Sequence, residues 1–277
     1  MKYILVVICL FSHILQADSV AVSVAPYLEI VQEIAGPSIE VHLVVPQGAS
    51  SHSFETTPKQ LQALSHDTLW FTIGEPFEYR AIKALKQSQP APTIINLREG
   101  LNLIQEHVCE HHSSADPHIW MDPEMMATQV QHIIEALKNT YPLQSAEITE
   151  RSDHVLQKLK QLQNLRDLAL KGKKGTLIVS HPAYGYLLRA YDILEYALEF
   201  EGKEPSAKQL ALAVDKVTEA HAHTIFTQPQ YSKRAADRIA SLLNLQIIEL
   251  DPYSPSYFES MNTIYEAFAK ELTNEMN

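Results

Sequence analysis

LQSAEITERSDHVLQKLKQLQNLRDLAL, residues 143–170, contains neither glycine nor proline and sets Ile148, Val155, Leu159, Leu162, Leu165 and Leu168 at helical spacing. This spacing predicts one long helix. With a rise of 1.5 Å per residue it would run roughly 40 Å, enough to lie along two lobes as a rigid spine that limits hinge motion. Lys171-Gly172-Lys173-Lys174-Gly175 closes it, with cations at the negative pole and glycine as the stop. The other reading of the same stretch is an ordinary crossover helix inside a single domain.

On both sides of this stretch short β-rich runs alternate with amphipathic ones. Before it, strands are predicted at 20–24, 39–45, 68–73 and 93–97, with helices at 26–35, 59–64, 78–87 and 123–140. After it, strands are predicted at 176–180, 193–198, 224–227 and 246–250, with helices at 184–190, 206–220, 232–243 and 256–273. Such alternation is the βα signature of a mostly parallel sheet. The predicted fold class is therefore α/β: two lobes, each a small, mostly parallel sheet flanked by helices, joined by one long helix. The expected division is a signal peptide at 1–17, an N-terminal lobe at 18–142, a linking helix at 143–171 and a C-terminal lobe at 172–277.

The leader reading rests on Lys2, an apolar run from Ile4 to Leu15, and a small residue at Ala17. That run is too short to span a bilayer, which needs about 20 residues. Cys9 follows Ile8 where a lipoprotein would have a small residue, so a lipid anchor is not expected. A mature chain starting at Asp18 keeps Cys109 alone, which leaves no intramolecular disulfide and rests stability on packing. The formal charge of -11 argues against nucleic acid or an anionic membrane as partner and is compatible with a cation.

Residues 115–123, ADPHIWMDP, set His118 between two prolines and two carboxylates just after His107, His111 and His112. Proline fixes its own φ and pushes the preceding residue toward extended backbone, so His118 sits in a stiff turn able to aim a ligand. A solvated loop anchored by Trp120 is the alternative. His52 falls beyond a predicted strand, and His181 and Asp251 directly follow predicted strands. Ligands of open parallel sheets bind at the carboxyl ends of the strands, so these loops have a place to converge. Three imidazoles and one carboxylate form a set suited to Zn(II) and poorly suited to calcium or magnesium. Spacings this long cannot establish a site by themselves.

The surrounding words carry more. VPQGASSHSFETTP at 45–58, DPHIWMDP at 116–123, SHPAYGY at 180–186, EGKEPS at 201–206 and LDP at 250–252 occur in one order along nearly the whole chain. In these blocks the chain resembles the periplasmic zinc- and manganese-binding proteins of ABC transporters, of the zinc-uptake type. The resemblance implies His52, His118, His181 and Asp251 as metal ligands. It also implies a monomeric, non-enzymatic carrier that delivers its ion to a membrane permease with its ATPase. Manganese-preferring relatives commonly carry an acid at the third histidine, so His181 points to zinc, with manganese or iron as alternative cargo.

Gln228 stands where the resemblance often has glutamate, and the histidine-rich loop of zinc members is reduced to His107, Cys109, His111 and His112. Glu55 is a candidate to accept a proton from a ligand imidazole, or equally a surface acid. Ser206 is expected to cap the helix after it, and Tyr184 and Tyr186 to pack beneath the site. His42, His66, His132, His154, His221 and His223 lack partners at ligand spacing and read as structural or solvent-facing. Two rival functions are a zinc hydrolase, which needs an open coordination position and lacks an H-E-x-x-H motif here, and a surface adhesin.

Overall fold

The β-branched and aromatic runs of each half of the chain form a four-stranded parallel sheet. In a computed structural model, which describes residues 18–87, 90–106, 114–199 and 205–272, the first sheet is built from β1 (Asp18–Val22), β2 (Ile39–Leu43), β3 (Leu69–Thr72) and β4 (Thr93–Asn96) in the order β2-β1-β3-β4. Val20 pairs with Val41 on one side and Leu69 on the other. Helices α1 (Pro26–Ala35), α2 (Pro58–Leu64) and α3 (Pro76–Leu85) connect these strands. Each opens with proline, whose missing N–H costs nothing at a helix start.

A two-residue antiparallel pair, β5 (Gln105–Glu106) with β6 (Ser114–Ala115), follows. It was not expected from the pattern. The short histidine loop, His107, Cys109, His111 and His112, lies outside the described residues. Then come α4 (Pro123–Thr140) and the long α5 (Ser145–Leu170). The second sheet comprises β7 (Lys174–Val179), β8 (Asp192–Ala197), β9 (Thr224–Thr227) and β10 (Gln246–Glu249), ordered β10-β9-β7-β8, with α6 (Gly185–Leu188), α7 (Ala207–Glu219), α8 (Arg234–Leu243) and α9 (Tyr257–Glu271) around it. All strand pairs within both four-stranded sheets are parallel. The fold is thus the two-lobed α/β arrangement expected from the alternation. Ser206 caps α7 through a reciprocal pairing with Gln209, the capping-box solution to unpaired N–H groups.

The spine begins two residues later than its apolar pattern suggested, because Pro142–Gln144 forms a 3-10 turn ahead of it. Its 26 residues span about 39 Å. It packs against α1, α4 and α9. The buried stripe runs Ile148, Ser152, Val155, Leu159, Leu162, Arg166, Leu170. Leu165 and Leu168, read from sequence as part of that stripe, are 45% and 83% exposed. Steps of three from Leu162 drift off a face that repeats every 3.6 residues, and the face is continued by Arg166 instead.

Burying Arg166 requires partners, and Asp122, Glu124 and Asp167 lie at 3.2, 3.3 and 3.1 Å. One apolar core includes Phe71 of the first sheet, Leu159 of the spine and Phe226 of the second sheet. A smaller cluster built on Ile178, Val217, Ile225 and Ile239 covers the other face of the second sheet.

Candidate metal centre

Parallel strands put all their carboxyl ends on one edge, and loops leaving those edges build the site together with the turn that follows β6. His52 lies in the loop after β2. Backbone N–H groups of Val44 and Val45 donate to Val22 and Ser23, extending the strand pairing before the turn at Gly48, whose φ of 79° suits a residue without Cβ. His118 is fixed by Asp116, whose Oδ1 lies 2.8 Å from the His118 backbone nitrogen and 2.7 Å from Nδ1. The following 3-10 turn, Ile119–Met121, buries Trp120, whose Nε1 donates to the Pro252 carbonyl at 2.8 Å. The stiff turn foreseen from the two prolines is therefore tied to the second lobe.

His181 follows β7. The amide of Gln228, just past β9, grips its backbone from both sides, accepting from the His181 N–H at 3.1 Å and donating to the His181 carbonyl at 2.8 Å. The ring stacks on Tyr231 with centroids 3.8 Å apart and planes 11° from parallel. Tyr184 and Tyr186 are fully buried below, and the Tyr186 hydroxyl donates to the Asp116 carbonyl at 2.8 Å.

The three rings converge through Nε2. His52 and His181 are 3.2 Å apart at these atoms, His181 and His118 3.4 Å. Among the described residues, His52, His118 and His181 are the group whose possible ligand atoms all lie within 4.8 Å of one another. His118 and His181 are 1% and 5% exposed, whereas the His52 side chain keeps 29%, so the approach to the cluster passes His52.

Each Nδ1 faces a carboxylate: Glu75 Oε2 at 3.0 Å from His52, Asp116 Oδ1 at 2.7 Å from His118 and Glu199 Oε1 at 2.5 Å from His181. A carboxylate on Nδ1 holds the proton there, fixing the tautomer whose Nε2 lone pair points inward. Of the two readings of Glu55 the surface acid is the one found, exposed and 3.8 Å from Arg80. Two of the actual acids, Glu75 and Glu199, follow strands β3 and β8, and that position after a strand was the available signal.

Asp251 stands outside the three-histidine group. Its Oδ1 accepts from the Tyr253 N–H at 2.9 Å and from Gln230 Nε2 at 2.7 Å, the local turn that short acids make with the residue two positions on. It is the Tyr253 hydroxyl that reaches the cluster, 2.8 Å from His118 Nε2 and 3.4 Å from His52 Nε2. Of the remaining histidines, His42 faces Asp67 and Glu40, His154 faces Glu33, and His132 meets the Glu99 carbonyl.

Burial, then the neighbouring His118 and His52, hold the His181 imidazole well below the ordinary histidine range, keeping it neutral and able to coordinate. Burial pushes Glu199 up to about 7, with His52 opposing. Burial, then Tyr231 and Glu75, keep the Tyr253 phenol well above its usual range. Three imidazole Nε2 atoms aimed at one point, with three acids behind them, form a site for a divalent transition metal.

Fold and site together define a two-lobed binding protein for such a metal. The chain belongs to the family described as zinc-uptake complex component A, periplasmic, whose model matches residues 20–271. Members of this family are extracytoplasmic solute-binding proteins of metal transporters and not enzymes.

A Chlamydia trachomatis protein named "Putative metal-binding protein" is 28% identical over 255 residues, covering 90% of each chain. The high-affinity zinc uptake system protein ZnuA of Bacillus subtilis is 26% identical over 230 residues, 78% of this chain and 72% of that one. The crystal structure of a ZnuA superposes with a TM-score of 0.86 at 25% identity, covering 93% of this chain and all of the other. No helix among the described residues is long and apolar enough to cross a membrane.

Proposed function

We propose that this chain carries Zn(II) as cargo, held by the Nε2 atoms of His52, His118 and His181, and hands it to a membrane permease driven by an ATPase. The observation that carries the reading is the convergence of three Nε2 atoms, each ring backed by its own carboxylate. An all-imidazole trio favours zinc over manganese, which prefers more oxygen donors. The names of the relatives support the same cargo. In this reading residues 1–17 are a cleaved leader and the protein acts as a monomer without a lipid anchor. Residues 18–142 and 172–277 form the two lobes, with 143–171 joining them.

Mature protein stripped of metal and titrated with zinc and, separately, manganese tests this directly. One zinc per chain, displaced only weakly by excess manganese, is expected. Absence of zinc binding by calorimetry at neutral pH, or tighter binding of manganese, overturns the reading.

A further inference from the structure

We infer that Glu195 is a positioning residue for the metal, its carboxyl holding the turn that sets His181 and, across the lobes, the acid behind His118. The inference rests on the zinc-carrier reading above and adds a group that acts through the backbone. Glu195 lies on β8, the edge strand of the second sheet, opposite Leu177 of β7. Its Oε1 accepts from the backbone N–H of Ala183 at 3.0 Å and from that of Tyr184 at 3.1 Å, in the turn that leaves β7 through His181. Ala183 and Tyr184 are fully buried, so these two N–H groups depend on a protein acceptor and not on water.

The same turn leads to Tyr186. Its hydroxyl accepts from the Ile104 N–H at 3.1 Å and donates to the Asp116 carbonyl at 2.8 Å, and Asp116 is the acid 2.7 Å from His118 Nδ1. The seating is close. A Cβ built on Gly185 would lie 3.3 Å from Ile104 Cδ1 and 3.5 Å from Asp116 Oδ2, so a shifted turn presses on the segment that carries His118. Glu195 thus bears on His181 along the chain and on His118 through Tyr186 and Asp116. Glu78 makes the same kind of contact in the first lobe, where its carboxyl accepts from the N–H groups of Ile73 at 3.0 Å, Gly74 at 2.6 Å and Glu75 at 3.0 Å, and Glu75 faces His52. Burial pushes both carboxyls up to about 7. A carboxyl oxygen accepts an N–H in either protonation state, so the role calls for an acceptor rather than a charge.

Three variants separate positioning from mere support of the fold. Glu195→Ala removes the acceptor, Glu195→Gln keeps an oxygen able to accept both N–H groups, and Ile239→Ala, in the small cluster on the other face of the second sheet, lowers stability away from the turn. Zinc affinity by chelator competition, the visible spectrum of the cobalt(II)-loaded protein and the urea midpoint are measured for each. Expected for Glu195→Ala is a loss of zinc affinity of about tenfold or more with a changed cobalt spectrum. Glu195→Gln should stay within about threefold with the parent spectrum, and Ile239→Ala should lower the urea midpoint while keeping both metal readouts. A folded Glu195→Ala protein that binds zinc within about threefold of the parent overturns the inference, as does an equal loss in Glu195→Gln or in Ile239→Ala. Should Glu195→Ala not fold, Glu195→Asp, which draws the acceptor back by one methylene, is read by the same criteria. A parent protein that binds no zinc removes the carrier reading and this inference with it, whereas every other outcome is read on a zinc-binding parent.

Discussion

Glu75 should matter to zinc although it is placed behind a ligand and never faces the metal. It is fully buried, with Oε1 accepting from the Ser51 hydroxyl at 2.7 Å and Oε2 facing His52 Nδ1 at 3.0 Å. His52 is the most exposed of the three rings, and this carboxylate is one of the groups that orient it. In Glu75→Gln the amide oxygen can still accept from Nδ1 while its nitrogen donates to Ser51, so only the charge is lost. In Glu75→Ala the carboxylate that holds the proton on Nδ1 is gone, so the ring is freer to turn and the tautomer with a blocked Nε2 becomes more accessible.

Losing the partner behind a metal-bound histidine costs about 10–100-fold in affinity, which is about 1.4–2.7 kcal/mol. The glutamine variant should fall near the lower figure and the alanine variant near the upper. Zinc competition against a chromophoric chelator reads both. Because alanine also removes the carboxylate that accepts from the buried Ser51 hydroxyl, at about 1–3 kcal/mol, urea denaturation must first show that the variant is folded. A folded Glu75→Ala protein binding zinc within about twofold of the parent would refute the reasoning.

Replacing His181 by glutamate trades an imidazole for a harder oxygen donor, so zinc should weaken relative to manganese in paired titrations, and an unchanged ratio would remove His181 as a selectivity determinant. The metal-free protein should lose stability below pH 6.5: unfolded His181 takes up a proton there while the folded ring, depressed by burial, does not. That slope is up to about 1.4 kcal/mol per pH unit, and comparing urea unfolding of the parent and His181→Gln at two pH values should show the difference. Asp122 joins two arginines, Arg166 of the spine at 3.2 Å and Arg189 of the second lobe at 3.0 Å. Asp122→Ala leaves Arg166 with Glu124 and Asp167 but without its buried partner and should cost about 1.5–3 kcal/mol in denaturation, and a loss below about 1 would show that the pair is not structural.

Much of the site's supporting chemistry lay beyond local spacing. Glu75 and His52 are 23 positions apart, and Glu199 and His181 are 18 apart. They meet because β2 and β3 flank β1 and because β7 pairs with β8, so that parallel strands deliver all four loops to carboxyl edges. Glu55 was the nearer acid in sequence, yet the chain turns it outward to Arg80. Leu165 and Leu168 show the same limit at the level of one helix, where apolar character at steps of three did not decide which side faced the core.

By itself the sequence determined the strand–helix alternation, the spine through Leu159 and Leu162, the stiff turn around His118, and the resemblance that pointed to His52 and His181. Periodicity, proline geometry and capping act over a few residues, and composition shows them. The tertiary structure alone decided that the three Nε2 atoms meet, that Glu75, Asp116 and Glu199 stand behind them, and that the Tyr253 hydroxyl reaches the cluster while Asp251 Oδ1 accepts from the Tyr253 N–H. Those outcomes depend on strand order, register and side-chain direction between segments distant in the chain, and no local pattern encodes a distance between two loops.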